Sequence, residues 1–209
     1  MDNRKPISEN IDELSKKYFM RINFVSGNEG KVRELSSIIN KYLPNVELFQ
    51  LNIDLPELQG NSEYIVREKL KTALERSCDL DGGVLVEDTS LLFNAYNGLP
   101  GPYIKYFLKA IKPEGLYKMV STFDDHSAVA QSIYGLQFYK DEDPVLFVGR
   151  VDGEIVSPRG DSNFGWDSCF QPKGFDKTYA EMNESVKNEI SHRSKSTKLM
   201  IEWLKKQII

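Results

Sequence analysis

The sequence contains few cysteines and histidines, the residues that form disulfides and bind zinc. Its 209 residues include 2 cysteines and 2 histidines. Cys78 and Cys169 lie far apart, which excludes a disulfide framework and a cysteine-rich zinc site. Because histidine is equally scarce, a metal site built on imidazoles is disfavoured. We therefore expect a reduced, cytoplasmic protein.

Long apolar runs are also missing. The longest contain three or four residues, at positions 84–86 and 145–148, whereas a membrane-spanning helix needs about 20. The first 17 residues lack the apolar stretch of a secretory signal, and their acidic residues are atypical of a transit peptide. We expect no membrane partner.

An excess of positive charge is absent as well. The chain has 27 Lys and Arg against 31 Asp and Glu, a net charge of −4 and a pI of about 5.4. A protein that coats nucleic acid needs a surplus of cations, so we expect no nucleic-acid partner, although a local basic pocket stays possible. The 40% of hydrophobic residues is ordinary globular usage, and this length supports a sizeable core.

Strand and helix patterns alternate from residue 20 onward. Apolar strands at 22–25, 46–51 and 84–86 are separated by two helical patterns, the second from about 62 to 78. This order predicts an α/β fold. Longer strands at 128–139 and 145–151, with a further turn at Asp152-Gly153, predict a meander of hairpins, and the chain ends in a long helix.

We therefore expect an N-terminal extension over residues 1–19 and a single two-lobed domain over 20–209. The two lobes would enclose a cleft, and the last helix could return to the first lobe.

The turn at residues 26–31 lies between the first strand and the first helix. Free N–H groups at a helix start favour an anion, and Gly27 and Gly30 permit a tight backbone. Lys31 lies in the first helical turn, where a cation is unfavourable for the helix dipole, which suggests that it faces something negative. An ordinary turn with a solvated lysine is an equally weighted alternative.

Two carboxylates, Glu87 and Asp88, directly follow the third predicted strand. Ligands gather at the carboxyl ends of strands in α/β sheets, and acidic residues there suit Mg²⁺ shared with phosphate. The alternative is a helix cap by Asp88 or Thr89. Glu57, in the loop after the second strand, could face the same point or be a solvated carboxylate. Glu34 could point there too, or pair with Lys31.

Two later segments carry aromatic and cationic residues. Phe164 and Trp166 flank Gly165 in a polar loop, an arrangement suited to stacking a planar base while Asp167 reads its edge. The alternative, which the loop alone favours, places both rings in the core. Further along, Ser191 could cap the final helix, which would put His192 and Arg193 in its first turn. Arg193 offers a fixed fork of N–H donors for carbonyl oxygens or phosphate. His192, taken alone, is better interpreted as a structural histidine.

These stretches, in this order, resemble the inosine triphosphate pyrophosphatase family, in its eukaryotic branch. The resemblance covers about residues 20 to 205 and rests on segments 25–31, 54–60, 85–89, 98–105, 164–167, 178–182 and 191–193. The chain departs from the family at Glu29 and Gly30, where small residues and often a second lysine are usual. Ser26 replaces the usual threonine.

The resemblance implies a long mixed, twisted sheet bent between two α/β lobes, with a central nucleotide cleft, in a homodimer. It implies hydrolysis of ITP, dITP and XTP to the monophosphate and pyrophosphate, with Mg²⁺, or Mn²⁺ as a substitute. A catalytically weak nucleotide sensor on the same fold is the main alternative, and a pyrimidine nucleotide pyrophosphatase and an RNA-binding protein are weaker ones.

The resemblance also assigns roles to individual residues. The catalytic set is Asp88, Glu57 and Lys69, of which Glu57 and Asp88 would hold the metal and Asp88 would act as metal ligand or general base. The phosphate tail would be held by Lys69 and by the turn made of Ser26, Gly27, Asn28, Glu29, Gly30 and Lys31. Thr89 and Lys105 would contact the nucleotide. The base would be enclosed by Phe164, Gly165, Trp166 and Asp167, and its edge would meet Lys187, His192 and Arg193.

Overall fold

The computed structural model describes residues 20–77, 81–161 and 164–207. The predicted extension over 1–19 and Cys78 lie outside the described residues. The strands are β1 (Met20–Val25), β2 (Val46–Leu51), β3 (Gly83–Phe93), β4 (Pro100–Gly101), β5 (Ser127–Gln137), β6 (Val145–Ile155) and β7 (Phe170–Pro172). The α-helices are α1 (Glu29–Tyr42), α2 (Ser62–Arg76), α3 (Ile104–Val120), α4 (Glu184–Ile190) and α5 (His192–Gln207).

The described strands form one seven-stranded sheet of mixed direction. Its order is β2-β1-β3-β5-β6-β7, and β4 pairs with β3. Strand β1 runs parallel to both β2 and β3, whereas β3, β5, β6 and β7 are antiparallel neighbours. The parallel part follows from the helical crossovers α1 and α2, and the antiparallel part from the hairpins. The mixed α/β fold expected from the sequence is thereby confirmed.

Two strand boundaries differ from the prediction. Residues 84–86 form only the first part of β3, which continues to Phe93 because it pairs with β5 along its length. Strand β6 runs through the predicted turn at Asp152-Gly153 and ends at Ile155. A Cβ atom at Gly153 would lie under 3.0 Å from the backbone of Gln171 and the ring of Phe170. This glycine therefore serves the close approach of β7.

Three apolar clusters surround the sheet. Helices α1 and α5 pack on one face of its N-terminal half, where Ile22 and Phe24 meet Leu35 and Met200, so the last helix does return to the first part of the chain. Helix α2 covers the opposite face, where its residues meet Val84 and Val86. The other half of the sheet packs with α3 around Leu91, Phe93, Ile104, Leu116 and Trp166.

The middle of β3 is polar and lies between these clusters. Val84 to Val86 belong to the first two clusters, and Leu91 and Phe93 to the third. Between them, Glu87, Asp88 and Ser90 are buried polar residues. Pairing of β1 with β3 stops at Leu85, so these carboxylates lie just beyond the carboxyl end of β1. The candidate site is therefore at the junction of the apolar cores.

Candidate active site

The turn before α1 is held by its own side chains. Asn28 caps the helix, and its Oδ1 accepts a hydrogen bond from the backbone N–H of Lys31 at 3.2 Å. The backbone N–H of Asn28 in turn donates to Oγ of Ser26 at 3.2 Å. Gly27 and Glu29 are exposed. This capping directs the side chain of Lys31 toward the sheet, where its Nζ lies 2.5 Å from Oε2 of Glu87. The lysine does face a negative group, and that group belongs to the protein.

Glu87 and Asp88 do not share one pocket. Successive side chains of a strand point to opposite faces, so Glu87 faces α1 and α5, whereas Asp88 faces α2. The sequence argument treated the two carboxylates as a pair, and this is corrected by the continuation of β3 through both residues. The alternative of a helix cap by Asp88 or Thr89 is also wrong, since both lie inside the strand.

Glu87 is the centre of a buried network. Its Oε1 accepts hydrogen bonds from Oγ of Ser132 at 2.8 Å and Oγ1 of Thr89 at 2.6 Å, and lies 3.4 Å from Nε of Arg193. Burial by itself would raise the pKa of Glu87, but Lys31 and Arg193 outweigh that effect and hold the pKa well below its usual value. Glu87 therefore stays ionised and anchors cations from two helices.

Asp88 lies on the other face of β3. Its Oδ1 is 2.7 Å from Nζ of Lys69, which is also 3.7 Å from Oε2 of Glu57, and Glu57 forms an ion pair with the exposed Lys105. The other oxygen of Asp88, Oδ2, is buried and has no hydrogen-bond partner among the described residues. Burial raises the pKa of Asp88 although Lys69 opposes the shift. The pKa of Lys69 is itself raised, because attraction to Asp88 outweighs the opposing effect of burial.

These carboxylates fit a magnesium ion better than a closed metal site. Over residues 20–77, 81–161 and 164–207, no cluster of three or more His, Cys, Asp or Glu side chains is placed to hold a metal on its own. Mg²⁺ needs only one or two carboxylates when substrate phosphates complete its shell. The unpartnered Oδ2 of Asp88 and the neighbouring Glu57 meet that requirement.

A second charged group forms where α1 meets the C-terminal helices. Nζ of Lys187 lies 2.5 Å from Oδ2 of Asp167 and 3.4 Å from Oε1 of Glu34. Glu34 also forms an ion pair with Arg193, whose Nη2 donates to Oγ1 of Thr89 at 3.2 Å. The sequence left the direction of Glu34 open, and the structure pairs it with these two cations instead of Lys31. The only sequence signal was its position one helical turn beyond Lys31.

The two aromatic rings of the 164–167 segment have different surroundings. Trp166 is buried in the core beside Phe170, as expected from the alternative that places the rings of this segment in the core. Phe164 is half-buried at the charged group, and its ring centroid lies 4.5 Å from Nζ of Lys187. Gly165 between them adopts φ of 62°, a left-handed conformation that favours glycine and turns the chain between the two environments.

His192 is fully buried between aromatic rings. Its ring centroid lies 5.2 Å from that of Trp166 and 6.0 Å from that of Tyr179. Burial and the nearby Arg193 lower its pKa well below the usual value, so the imidazole is neutral. Neither ring nitrogen has a hydrogen-bond partner among the described residues. The predicted cap by Ser191, the residue before His192, is present: its Oγ accepts a hydrogen bond from the backbone N–H of Ser194 at 3.1 Å.

Comparison with known proteins places the chain in a family. Residues 22–203 match the Ham1 family. The chain belongs to the Ham1 family. This membership confirms the resemblance to the family and the enzyme class expected from the sequence, a nucleoside triphosphate pyrophosphatase, whereas the eukaryotic branch stays a prediction.

Solved Ham1 structures share the fold at low sequence identity. A HAM1 protein from Coxiella burnetii is 22% identical, with a TM-score of 0.79 over 90% of this chain and 100% of that one. The Ham1 protein of Staphylococcus aureus is 23% identical, with a TM-score of 0.72 over 90% and 99%. A nucleoside-triphosphatase described as a dITP/XTP pyrophosphatase, from Mycobacterium abscessus, is 24% identical, with a TM-score of 0.68 over 88% and 100%.

The Ham1 fold thus brings most of the predicted site residues into two neighbouring groups. One group surrounds Asp88 on the α2 face of β3, and the other surrounds Glu87 and Glu34 on the opposite face. Lys105 reaches the first group through its ion pair with Glu57, with 68% of its side chain exposed. Within the part of the chain that the structure describes, no helix is long and apolar enough to cross a membrane.

Proposed function

We propose that this Ham1 protein hydrolyses non-standard purine nucleoside triphosphates, namely ITP, dITP and XTP, to the monophosphate and pyrophosphate. The observation that carries the proposal is the setting of Asp88. It is a buried carboxylate with one oxygen paired to Lys69 and the other without a hydrogen-bond partner in the described part of the chain, next to a group of cations on the opposite face of its strand. The activity of the Mycobacterium abscessus relative supports the same substrate class.

In this proposal a water molecule attacks the α-phosphorus. Asp88 accepts the proton of the water through Oδ2, the new P–O bond forms, and the bond to the β-phosphate breaks to release pyrophosphate. The raised pKa of Asp88 makes it a stronger base than an exposed aspartate, and Lys69 keeps it oriented. Mg²⁺, or Mn²⁺ in its place, would be held by Glu57 and the substrate phosphates and would neutralise charge on those phosphates. A direct bond from Asp88 to the metal is the alternative use of Oδ2, since Oδ1 is paired with Lys69.

Base selection would fall to the second charged group. Hypoxanthine and xanthine carry an acceptor oxygen at C6, where adenine carries an amino donor. Lys187 and Arg193 present N–H donors beside Phe164, and an oxygen at C6 can accept from them whereas an adenine amino group cannot. A buried polar group left unpaired costs about 1–3 kcal/mol, so two such mismatches correspond to roughly hundredfold discrimination or more.

The direct test is phosphorus NMR of the products formed from ITP, beside ATP and GTP, with and without Mg²⁺. We expect IMP and pyrophosphate, formed only with the metal and mainly from ITP. Release of inorganic phosphate in place of pyrophosphate would refute the reaction. Folded protein that binds ITP without turning it over would favour the nucleotide sensor. The homodimer and the cytoplasmic location stay predictions, and the former is testable by light scattering on the purified chain.

A further inference from the structure

Gly30 is the second residue of α1, and its lack of a side chain is required by a ring from a distant segment. A Cβ atom at this position would lie well under 3.0 Å from Cε2 of Phe164 and 3.1 Å from its Cδ2. Carbon atoms in favourable contact are about 3.5–4.0 Å apart, so any side chain here must displace the ring. Gly30 lies within the regular helix α1, where an alanine is accepted by the backbone.

The ring that Gly30 admits lies over both cations of the second charged group. Its centroid is 4.5 Å from Nζ of Lys187 and 5.5 Å from the guanidinium carbon of Arg193. Phe164 thereby joins the first turn of α1, which ends the 26–31 turn that the resemblance assigns to phosphate, to the residues assigned to the edge of the base. A change in either partner of the Gly30–Phe164 contact moves the ring relative to those cations.

We propose that Gly30 is a positioning residue for purine binding, which acts by seating the ring of Phe164 against α1. The resemblance places Gly30 in the turn that would hold phosphate, which stays a prediction, and the contact with Phe164 gives this position a separate role. This inference rests on the proposed function for its effect on substrate, but the contact itself is testable without any substrate.

The substrate-free test is a double-mutant cycle on thermal stability. The Cβ introduced by Gly30→Ala meets Oδ1 of Asn28 at 3.2 Å in both backgrounds. In the Phe164→Ala background the ring is gone, so Gly30→Ala gives the more positive shift in melting temperature through helix propensity. With Phe164 present, the same substitution must displace the ring, so its melting temperature shift is less positive or negative. Gly27→Ala is the matched control, because its Cβ meets nothing nearer than Oδ1 of Asn52 at 3.5 Å. We expect its shift to be equal in both backgrounds.

The substrate test measures KM and kcat for ITP in the same four proteins. Gly30→Ala raises KM about fivefold or more, the lower end of the value of base–aromatic stacking, and changes kcat little, because Asp88 and Lys69 lie on the other face of β3. In the Phe164→Ala background Gly30→Ala leaves KM unchanged. If Gly30→Ala merely destabilised the fold, it would lower kcat by the same factor in both backgrounds.

The outcomes separate the two proposals. Equal effects of Gly30→Ala on stability in both backgrounds would overturn the contact. Coupled stability with an unchanged KM would overturn the role in purine binding. Coupled stability in a protein that hydrolyses no purine triphosphate would refute the proposed function and leave the contact supported.

Discussion

Loss of the charge on Glu87 is the perturbation whose consequence is best defined by the structure. Glu87→Gln keeps the shape of the side chain and an oxygen acceptor for Ser132 and Thr89, but removes the negative charge between Lys31 and Arg193. The side chain of Glu87 is 0% exposed and that of Arg193 is 4% exposed, so neither charge is solvated in the native protein.

The expected loss of stability is about 3 kcal/mol. Removing one partner of a buried ion pair costs about 3–5 kcal/mol. The lower end applies, because Arg193 keeps its ion pair with Glu34 and the side chain of Lys31 is 20% exposed and can return to water. Urea unfolding followed by tryptophan fluorescence measures the difference. Glu47→Gln is the matched control on the same sheet, since Glu47 forms an exposed pair with Arg21 at 3.5 Å and should cost at most about 1 kcal/mol.

The pH dependence checks the same reasoning. The pKa of Glu87 is lowered by folding, so its stabilising contribution is complete above the unfolded value of 4.5 and is lost as the pH falls below it. The difference between the wild type and Glu87→Gln should be constant between pH 7 and 5 and shrink by at most about 1.4 kcal/mol per pH unit below 4.5. A difference under about 1 kcal/mol at pH 7, or one that grows in acid, would refute the assignment.

Three further predictions concern the site and its support. Asp88→Asn should lose most of kcat for ITP while still binding the nucleotide in a calorimetric titration, and near wild-type turnover would exclude it as the base. Arg193→Lys keeps the charge but loses the fork of donors, so the ratio of kcat/KM for ITP over ATP should fall about tenfold, and an unchanged ratio would remove Arg193 from base selection. Gly149→Ala should cost about 2 kcal/mol or more in urea unfolding, because its Cβ would lie under 3.0 Å from the backbone oxygen of His192. Gly27→Ala, whose Cβ makes only an ordinary contact with Oδ1 of Asn52 at 3.5 Å, is the control, and equal costs would contradict the clash.

Local sequence was sufficient for the features that depend on near neighbours along the chain. The cap by Ser191 was predicted, because a polar side chain before an apolar-periodic segment satisfies the first free N–H groups of the helix. The cap by Asn28 was not predicted, although it follows the same rule. The alternation of strand and helix patterns also predicted a mixed α/β fold. The order of the motifs identified the family.

The division of the site between two faces needed the tertiary structure. Glu87 and Asp88 were predicted to follow a short strand that ends at Val86, yet pairing with β5 extends the strand through them and sends their side chains in opposite directions. Strand length is set by the partner strand, which lies about 45 residues away, as the bond from Ser132 to Glu87 illustrates.

The partners of individual charges were decided in the same way. Glu34 pairs with Lys187 and Arg193, which are 153 and 159 residues further along the chain, although Lys31 is one helical turn away. Trp166 enters the core while Phe164, two residues earlier, contacts α1 at Gly30. Composition and periodicity determine which residues are buried and which elements form, because these depend on the residue and its neighbours. Which buried charge meets which cation depends on how distant elements pack, and only the folded chain determines that.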